Sequence, residues 1–443
     1  MPRKLDDILI SYKQPGFQEK LFDTYLSKAG LSHFGLGPRY TENRQKVEAI
    51  IRDVVEHKDE AITEYTEKFD GVKLTPKQFR VNQSELKKAH KHIAPEVLGS
   101  IRKSVENVKR YQKEIFIGDF KHPGIKYTAI ERVGICVPGA SAALPSTVIT
   151  TAVPAQVAGV KQIAIVSPPR FNDNIHPVTL AVCFELGIEE VYRIGGAQAV
   201  AALSFETETI KRVDKIVGPG NQWVQTAKKL VFGVVAIDSI AGPSEVLIIA
   251  NDKANPAWIA CDMLSQAEHD PGCAFMFTDS QEVAQKTLDE LKKQVNQLTR
   301  AKETIECLKK FSGIAIFRNM DDLLERANEF AAEHLQIQCG EQSREIADKI
   351  TNAGAIFIGD YSPVAVGDYW AGPSHTLPTG TTAKFFSPLS ANDFIKSTSI
   401  IEYDKKKLAQ SADDIIRLAE IEGLDAHAKS VKIRIQEHQD KVV

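Results

Sequence analysis

The most constraining feature of this chain is a stretch of 28 residues, 133–160, that contains no charged side chain. An uncharged run of that length could suggest a membrane-spanning helix. However, Pro138, Pro145 and Pro154 interrupt it, and proline breaks the hydrogen bonding of a helix interior. We therefore expect a buried strand, a loop and a buried helix instead of a membrane span.

Short strand-like runs recur along the middle of the chain at roughly 25 to 30 residue spacings, which are typical of βαβ units. The runs are 129–137, 162–166, 190–194, 214–217, 234–237 and 246–249, with helical segments between most of them. This pattern predicts an α/β fold. No G-x-G-x-x-G fingerprint occurs, but glycines at 195–196 and 218–220 follow two of the strands. They are either tight turns or places where a ligand approaches the backbone.

Composition limits the function without deciding it. With 443 residues the chain should form two or more domains. The net charge is −3, from 55 basic and 58 acidic residues, which argues against nucleic-acid or membrane binding. Six cysteines without a CxxC pattern are typical of reduced thiols in a cytoplasmic protein. Arg3 and Lys4 are followed by acids and no apolar run, so we expect no signal peptide.

Potential metal ligands close a predicted helix. Asn255 is a suitable N-cap, Pro256 fits the first helical position, and residues 270–272 should stop the helix. Gln266 and His269, three residues apart, would then lie on one face of the last turn. Alone, the pair is also compatible with a solvated helix end.

Three other segments contain carboxylate or imidazole side chains that could act together with this pair. Glu333 and His334 stand between a helical run, 321–331, and a strand-like run, 335–338. The segment 359–387 has little periodicity and includes Asp368, and long irregular loops in compact domains are often functional. The segment 422–427 lies between two helical runs, where an exposed helix–helix turn is the simplest interpretation.

These segments together resemble the histidinol dehydrogenase family, whose enzymes oxidise L-histidinol to L-histidine with zinc and two NAD. The resemblance runs from about residue 40 to about 435. It is carried by nine ordered blocks: 137–139, 144–148, 195–199, 218–221, 241–245, 265–269, 333–335, 367–369 and 422–427.

The resemblance implies a specific architecture of two incomplete Rossmann-like domains, one inserted in the other. The predicted parts are a helical N-terminal segment (1–39), a domain with the zinc and catalytic residues (40–131 plus 245–388), an inserted cofactor domain (132–244) and a C-terminal tail (389–443). The tail would contact the partner subunit of a homodimer with shared active sites.

The resemblance also implies residue roles. Zinc, one ion per subunit, would be held by Gln266, His269, Asp368 and His427, with His427 from the partner subunit. The same four residues, together with Ser244, His334 and Glu422, would contact the substrate. Glu333 and His334 would handle protons, and Cys136, Gln198 and Asn221 would contact NAD.

Elementary chemistry agrees with these roles. Two imidazoles, one carboxylate and an amide oxygen form a mixed ligand set that suits zinc with room for a substrate. Oxidation of an alcohol needs a base near neutral pH, which His334 can provide. Oxidation of the aldehyde needs an attacking water, which Glu333 can activate. NAD accepts the hydride.

The chain departs from the family pattern at a few positions. Family members usually have Tyr at Cys136, Gly at Ala140, Gly at Glu206, Pro at Ala332 and Asn at Ser374. The sequence therefore leaves two alternatives open: a related zinc and NAD dehydrogenase of another polar alcohol, such as an amino alcohol or a sulfonated diol, and a non-enzymatic homologue. The retained Glu333 and His334 argue against the non-enzymatic homologue. The retained Ser244, Glu422 and His427 favour a histidinol dehydrogenase, acting in the last steps of histidine biosynthesis, over a dehydrogenase of another alcohol.

Overall fold

The structure is a computed structural model, which describes residues 4–21, 24, 38–139, 143–240, 242–269 and 272–436. Ala140 and the predicted helix stop at Asp270 and Pro271 lie outside these ranges. The chain divides into two compact units. The larger unit combines the chain up to Ile117 with Ala129–Ile395, and the smaller one combines Gly118–Thr128 with the chain from Lys396.

The larger unit contains a five-stranded sheet built from the middle of the chain. Its strands are β3 (Arg132–Cys136), β4 (Gln162–Val166), β5 (Glu190–Tyr192), β6 (Lys215–Val217) and β7 (Ala236–Ile237). Their order is β5-β4-β3-β6-β7, and every neighbouring pair is parallel. The chain winds outward from β3 in one direction and resumes on its other side at β6. Crevices at such reversals are where α/β proteins bind ligands.

A six-stranded sheet, also in the larger unit, carries the other predicted chemistry. Its strands are β1 (Leu9–Ser11), β8 (Glu245–Ala250), β9 (Cys273–Thr278), β10 (Gly313–Ile316), β11 (His334–Gln338) and β12 (Ala355–Ile358). The order is β1-β10-β9-β8-β11-β12, and all pairs are parallel. The predicted α/β fold is thus confirmed, with parallel sheets. The proposed domain boundaries stay a prediction.

Helices cover both sheets of the larger unit. They are α1 (Pro38–Asp70), α2 (Pro76–Phe79), α3 (Gln83–His92), α4 (Pro95–Glu114), α5 (Pro145–Val157), α6 (Pro177–Glu185), α7 (Gly196–Phe205), α8 (Gln222–Val231), α9 (Pro256–Ala267), α10 (Gln281–Gln294), α11 (Ala301–Phe311), α12 (Met320–Phe330), α13 (Ser343–Asp348) and α14 (Val364–Tyr369). The irregular segment predicted for 359–387 contains one short α-helix, α14, and a 3-10 turn at Thr382–Lys384. Helices this short leave no periodic pattern in the sequence.

The uncharged stretch forms a strand and a helix, as predicted. All five residues of β3 are buried, and ten residues of α5 are buried between neighbouring elements. Burial from several sides explains the missing charge, since an unpaired charge in the interior is costly. No helix in the described part of the chain is long and apolar enough to span a membrane.

The smaller unit holds a two-stranded sheet and a helix pair. The strands are β2 (Ile125–Ala129) and β13 (Ile395–Ser399), and the helices are α15 (Lys405–Ile421) and α16 (Asp425–Gln436). Gly423, at φ +70, makes the turn between the helices. Several large apolar side chains of this pair are exposed, namely Leu418, Ile421, Leu424 and Ile433.

Glu206 occupies a backbone conformation that favours glycine. It ends α7 with φ 61 and ψ 143, a region that residues with a Cβ rarely adopt. Family members usually have glycine at this position, and the positive φ gives the physical reason. The Glu206 carbonyl accepts a hydrogen bond from Lys58 Nζ at 3.0 Å, which keeps the strained residue in place.

Replacing Glu206 with glycine should relieve this strain. We expect Glu206→Gly to raise the free energy of unfolding by roughly 1 kcal/mol, because removal of the Cβ outweighs the greater entropy of the unfolded chain. Urea unfolding measures the change. Glu189→Gly, at an exposed position with ordinary backbone geometry, is the matched control and should lose stability. A loss of stability in both variants would contradict the assigned strain.

Candidate active site

Two buried glutamates join the starts of β8 and β11. Glu333 Oε2 accepts a hydrogen bond from the Glu245 main-chain nitrogen at 2.8 Å, and Glu245 Oε1 accepts one from the Glu333 nitrogen at 3.3 Å. Glu245 Oε1 also accepts from the Gly380 nitrogen at 3.0 Å. Main-chain donors can hold a carboxylate in a fixed position away from water. The exchange therefore fixes Glu333 at the amino edge of the sheet.

His334, the first residue of β11, is fixed by its contacts in one tautomer. Its Nδ1 lies 3.0 Å from the Glu245 carbonyl oxygen, which can only accept a hydrogen bond. In the neutral ring Nδ1 therefore carries the proton, and Nε2 is the basic nitrogen. His334 Nδ1 is also 3.5 Å from Glu333 Oε2, so the two predicted proton-handling groups are in contact.

Asp368 and His375 lie beside the basic nitrogen. Asp368 Oδ1 is 3.9 Å from His334 Nε2 and 4.0 Å from His375 Nδ1. Burial raises the pKa of Asp368, although the neighbouring His334 opposes this shift. Burial, assisted by the positive charge that His334 can carry, lowers the pKa of His375 to about 4. His375 is therefore a neutral imidazole at physiological pH.

Gln266 and His269 reach the same region from the end of α9. Asn255 caps this helix as predicted, accepting a hydrogen bond from the Ala257 nitrogen at 3.0 Å. Gln266 Nε2 and His269 Nδ1 are 3.4 Å apart. Burial lowers the pKa of His269, although the neighbouring Glu268 opposes this shift, and the charge that His334 can carry lowers the pKa further.

The donor set in the larger unit is compatible with zinc but incomplete. Gln266, His269 and Asp368 offer an amide, an imidazole and a carboxylate, donors that zinc accepts. Among the described residues, no three His, Cys, Asp or Glu side chains are placed to hold a metal ion. Glu422 and His427, the other predicted residues, belong to the smaller unit, where both are exposed at the ends of α15 and α16.

Asp262, one helical turn before Gln266 on α9, belongs to a second group of polar side chains. Gln338 Nε2 donates to Asp262 Oδ2 at 2.7 Å, and burial raises the pKa of Asp262 to about 6 against the effect of Gln338 and Gln336. The side-chain oxygens of Gln336 and Gln338 are buried and have no hydrogen-bond donor. His334, Gln336 and Gln338 alternate along β11, so the strand presents one polar face.

The predicted cofactor residues lie at the carboxyl edge of the five-stranded sheet. Cys136 and Asn221 line a cavity of about 430 Å³ between the ends of β3 and β6. Gly218 has φ +103, and a Cβ there would lie 2.3 Å from the Cys136 carbonyl oxygen. A buried ion pair of Lys228 and Asp238 holds this loop, with Lys228 Nζ donating to the Gly218 carbonyl at 3.1 Å.

Gln198 lines an adjoining cavity of about 630 Å³ that also contacts Asn221. Its side chain is 1% exposed, and neither its amide nitrogen nor its amide oxygen has a hydrogen-bond partner. A buried amide without a partner is costly unless a ligand satisfies it. This side chain therefore fits a role in binding a polar group inside the cavity.

A hydrogen-bond contact joins the two edges. Thr147, in the first turn of α5, lies with its Oγ1 3.1 Å from His375 Nε2. Helix α5 follows β3 of the five-stranded sheet, whereas His375 follows the last strand of the six-stranded sheet. The amino edge of the six-stranded sheet, which carries Glu333 and His334, is therefore in contact with the carboxyl edge of the five-stranded sheet.

Comparison with known proteins identifies the family. The sequence profile of histidinol dehydrogenase matches residues 38–435. The chain belongs to the histidinol dehydrogenase family. It is 46% identical to the histidinol dehydrogenase of Rhodopirellula baltica over 397 residues, covering 88% of this chain and 86% of that protein. It is 47% identical to that of Oceanobacillus iheyensis over 399 residues, covering 88% and 92%.

A solved structure of the family has the same fold. The crystal structure of histidinol dehydrogenase from Elizabethkingia anophelis superposes with a TM-score of 0.83 at 36% identity, covering 89% of this chain and 92% of that one. The resemblance found in the sequence is therefore confirmed.

Three of the residues that differ from the family pattern, Cys136, Ala332 and Ser374, are buried in the core. Cys136 is buried, and burial raises the pKa of its thiol to about 12, so it behaves as a small apolar residue. Ala332 is enclosed in the core below Glu333. Ser374 is buried, and its Oγ accepts a hydrogen bond from the Thr376 nitrogen at 3.1 Å, beside His375.

Sequence reasoning missed four members of the site: Thr147, Glu245, Asp262 and His375. Thr147, Glu245 and His375 belong to segments that were singled out from the sequence. Only the tertiary structure shows their contacts, because their partners lie far away in the sequence.

Asp262 should make the stability of the protein depend on pH. Because its pKa is raised from 3.8 to about 6 in the folded state, folding loses stability as pH rises through that interval. Asp262→Asn removes the ionisation and supplies an amide donor for the buried Gln oxygens. We expect the free energy of unfolding of the variant, relative to that of the wild type, to be about 1 kcal/mol higher at pH 8 than at pH 5.

Urea unfolding at the two pH values measures this difference. Asp289→Asn, which removes an exposed carboxylate from α10, is the control and should follow the wild type at both pH values. An equal effect of Asp262→Asn at pH 5 and pH 8 would show that Asp262 ionises normally in the folded protein.

Proposed function

We propose that this protein oxidises L-histidinol to L-histidine through an aldehyde, with NAD as hydride acceptor and zinc in the active site, in the last steps of histidine biosynthesis. The observation that carries the proposal is the buried pair of Glu333 and His334, whose contacts make His334 Nε2 a base directed at Asp368. Family membership supports the identity of the substrate.

The first oxidation needs only one base from the protein. As the carbon-bound hydride leaves for the nicotinamide, the alcohol proton passes to His334 Nε2, and an aldehyde remains. The Glu245 carbonyl keeps His334 Nδ1 protonated throughout, so the ring can accept a proton only at Nε2. The imidazolium that forms is stabilised by the carboxylates of Glu333 and Asp368.

The second oxidation needs a water. Glu333 takes one proton from the water as it adds to the aldehyde carbon, and the imidazolium of His334 returns its proton to the aldehyde oxygen, which gives the hydrate. The hydrate then loses a hydride to a second NAD and a proton to the now neutral His334, which leaves the acid. The carboxylate of Glu333 is suited to this task because it is held by the Glu245 main-chain nitrogen and shielded from solvent. His375, neutral because of its lowered pKa, can hydrogen-bond a polar group of the substrate without adding charge.

Gln266, His269 and Asp368 would hold the zinc, with His427 as the fourth ligand. When bound, the ion would orient the amine and imidazole of the substrate and polarise its oxygen. The weak donation of the Gln266 amide suits a metal that also takes substrate atoms. Ser244, immediately before β8, and Glu422 would complete the substrate contacts.

We further propose that His427 and Glu422 come from the partner subunit of a homodimer. Both residues are exposed in the smaller unit, and the large apolar side chains Leu418, Ile421, Leu424 and Ile433 are exposed on the same helix pair. Large apolar side chains left exposed on one helix pair are consistent with an interface. In this proposal residues 389–443 form the exchanged tail, and 132–244 and 40–131 plus 245–388 form the two Rossmann-like domains.

The six cysteines support a cytoplasmic location, also as a proposal. Five of them are buried, and burial raises the pKa of Cys136, Cys183 and Cys339 to about 12. Such thiols are packing residues that require no oxidising compartment.

The two oxidation steps should respond differently to loss of the carboxylate. Glu333→Gln keeps the shape and the acceptor for the Glu245 nitrogen but cannot take a proton. We expect it to slow aldehyde oxidation by ~100- to 10,000-fold while alcohol oxidation falls much less. His334→Ala should slow both steps. Single-turnover NADH formation, started from L-histidinol and separately from the aldehyde, measures each step.

The wild type is the reference and should form two NADH for each L-histidinol consumed, with L-histidine as the product. Equal losses in both assays for Glu333→Gln would refute the role of Glu333. A wild type that forms no NADH from L-histidinol would refute the proposed substrate.

A further inference from the structure

Two buried glutamines on β11 have amides that are only partly hydrogen-bonded. Gln336 and Gln338 are 1% and 2% exposed, and the side-chain oxygen of each lacks a hydrogen-bond donor among the described residues. A buried amide oxygen without a donor destabilises the fold, whereas an apolar side chain of similar size would not. β11 lies inside the sheet, between β8 and β12, where apolar residues are usual. Packing alone therefore does not explain these two amides.

Asp262 on α9 orients both amides. Gln338 Nε2 donates to Asp262 Oδ2 at 2.7 Å. Burial raises the pKa of Asp262, and hydrogen bonds from Gln338 and from Gln336 oppose that shift. Because a carboxylate accepts hydrogen bonds, the nitrogen of the Gln336 amide is the atom that faces Asp262. The oxygen of Gln336, on the other side of the amide carbon, is therefore directed away from Asp262.

The register of α9 against β11 determines what lies on that other side. Helix α9 connects two neighbouring parallel strands, β8 and β9, so it runs antiparallel to β11. From Asp262 to Gln266 the helix advances by about 6 Å. From Gln338 back to Gln336 the strand covers about 7 Å. Both steps start at the hydrogen bond between Asp262 and Gln338 and lead toward the amino edge of the sheet, so Gln266 lies opposite Gln336.

The amide of Gln266 needs an acceptor for its nitrogen when its oxygen faces a metal ion. Gln266 is 2% exposed, and its Nε2 lies 3.4 Å from His269 Nδ1. Only the oxygen of an amide can ligate a metal, and turning the amide over brings this oxygen to the side of His269. The nitrogen then points away from His269 into the buried interface of α9 and β11, where it must find a protein acceptor.

We propose that Gln336 is a positioning residue for the zinc site. Its side-chain oxygen accepts the N–H of Gln266 and so presents the Gln266 oxygen to the ion, while Asp262 holds the Gln336 amide in the orientation that this requires. The proposal rests on the proposed function in taking Gln266 as a zinc ligand. Groups that hydrogen-bond a metal ligand fix its orientation, and their loss typically weakens metal binding by roughly 10- to 100-fold.

The zinc affinity of the full-length protein, measured by competition with a chromogenic chelator, tests the proposal. Gln336→Met should weaken zinc binding by roughly tenfold or more, because the buried nitrogen of Gln266 loses its acceptor. Gln338→Met is the matched control: it removes the other buried amide of β11, with its hydrogen bond to Asp262, and should bind zinc like the wild type. Gln336→Glu combined with Asp262→Asn keeps an acceptor for Gln266 and a hydrogen bond between positions 336 and 262, so this pair should restore zinc affinity.

Gln266→Ala separates this proposal from the proposed function. If Gln266→Ala weakens zinc binding while Gln336→Met does not, or if Gln338→Met weakens it as much as Gln336→Met, the positioning role is overturned and Gln266 remains a ligand. If Gln266→Ala binds zinc like the wild type, the ligand assignment fails and the positioning role fails with it. Weaker zinc binding in Gln266→Ala and Gln336→Met alone, in a protein that does not oxidise L-histidinol, would refute the proposed substrate and leave the role of Gln336 standing.

Discussion

The candidate active site depends on the exchange of hydrogen bonds between Glu245 and Glu333. Each carboxylate accepts from the main-chain nitrogen of the other residue, at the point where two parallel strands begin. The same junction presents the Glu245 carbonyl to His334 Nδ1. This one local arrangement therefore buries the carboxylates of Glu245 and Glu333 where the paired strands begin, and it sets the tautomer of His334. Because Nδ1 of His334 carries the proton, its basic Nε2 faces Asp368.

The two sheets contribute opposite edges to the function. The six-stranded sheet uses its amino edge, where α9 ends and β8 and β11 begin, to collect ligands and the proton-handling pair. The five-stranded sheet uses its carboxyl edge at the strand reversal, which is the usual ligand side of a parallel sheet. Contact between Thr147 and His375 joins the edges. In the proposed function, the hydride acceptor and the substrate would meet there.

Much of this could be predicted from the sequence because local patterns determine it. The cap at Asn255, the strand at 162–166 and the buried helix after Pro145 follow from short-range rules and occur as predicted. The hydrogen bonds of Glu245, the lowered pKa of His375 and the contribution of α1 to the cavity of about 630 Å³ could not be predicted. Each depends on packing between segments that lie far apart in the chain.

The central claim is that one chain holds the proton-handling pair and three metal ligands, and that a second copy supplies His427. Mixing His269→Ala with His427→Ala protein, under conditions in which subunits exchange, tests it directly. Each variant alone should be inactive, and random pairing should restore L-histidinol oxidation and bound zinc to about one quarter of the wild-type level, since half of the dimers then hold one intact site. No recovery in dimers shown to have exchanged subunits, or full activity of His427→Ala alone, would contradict the claim.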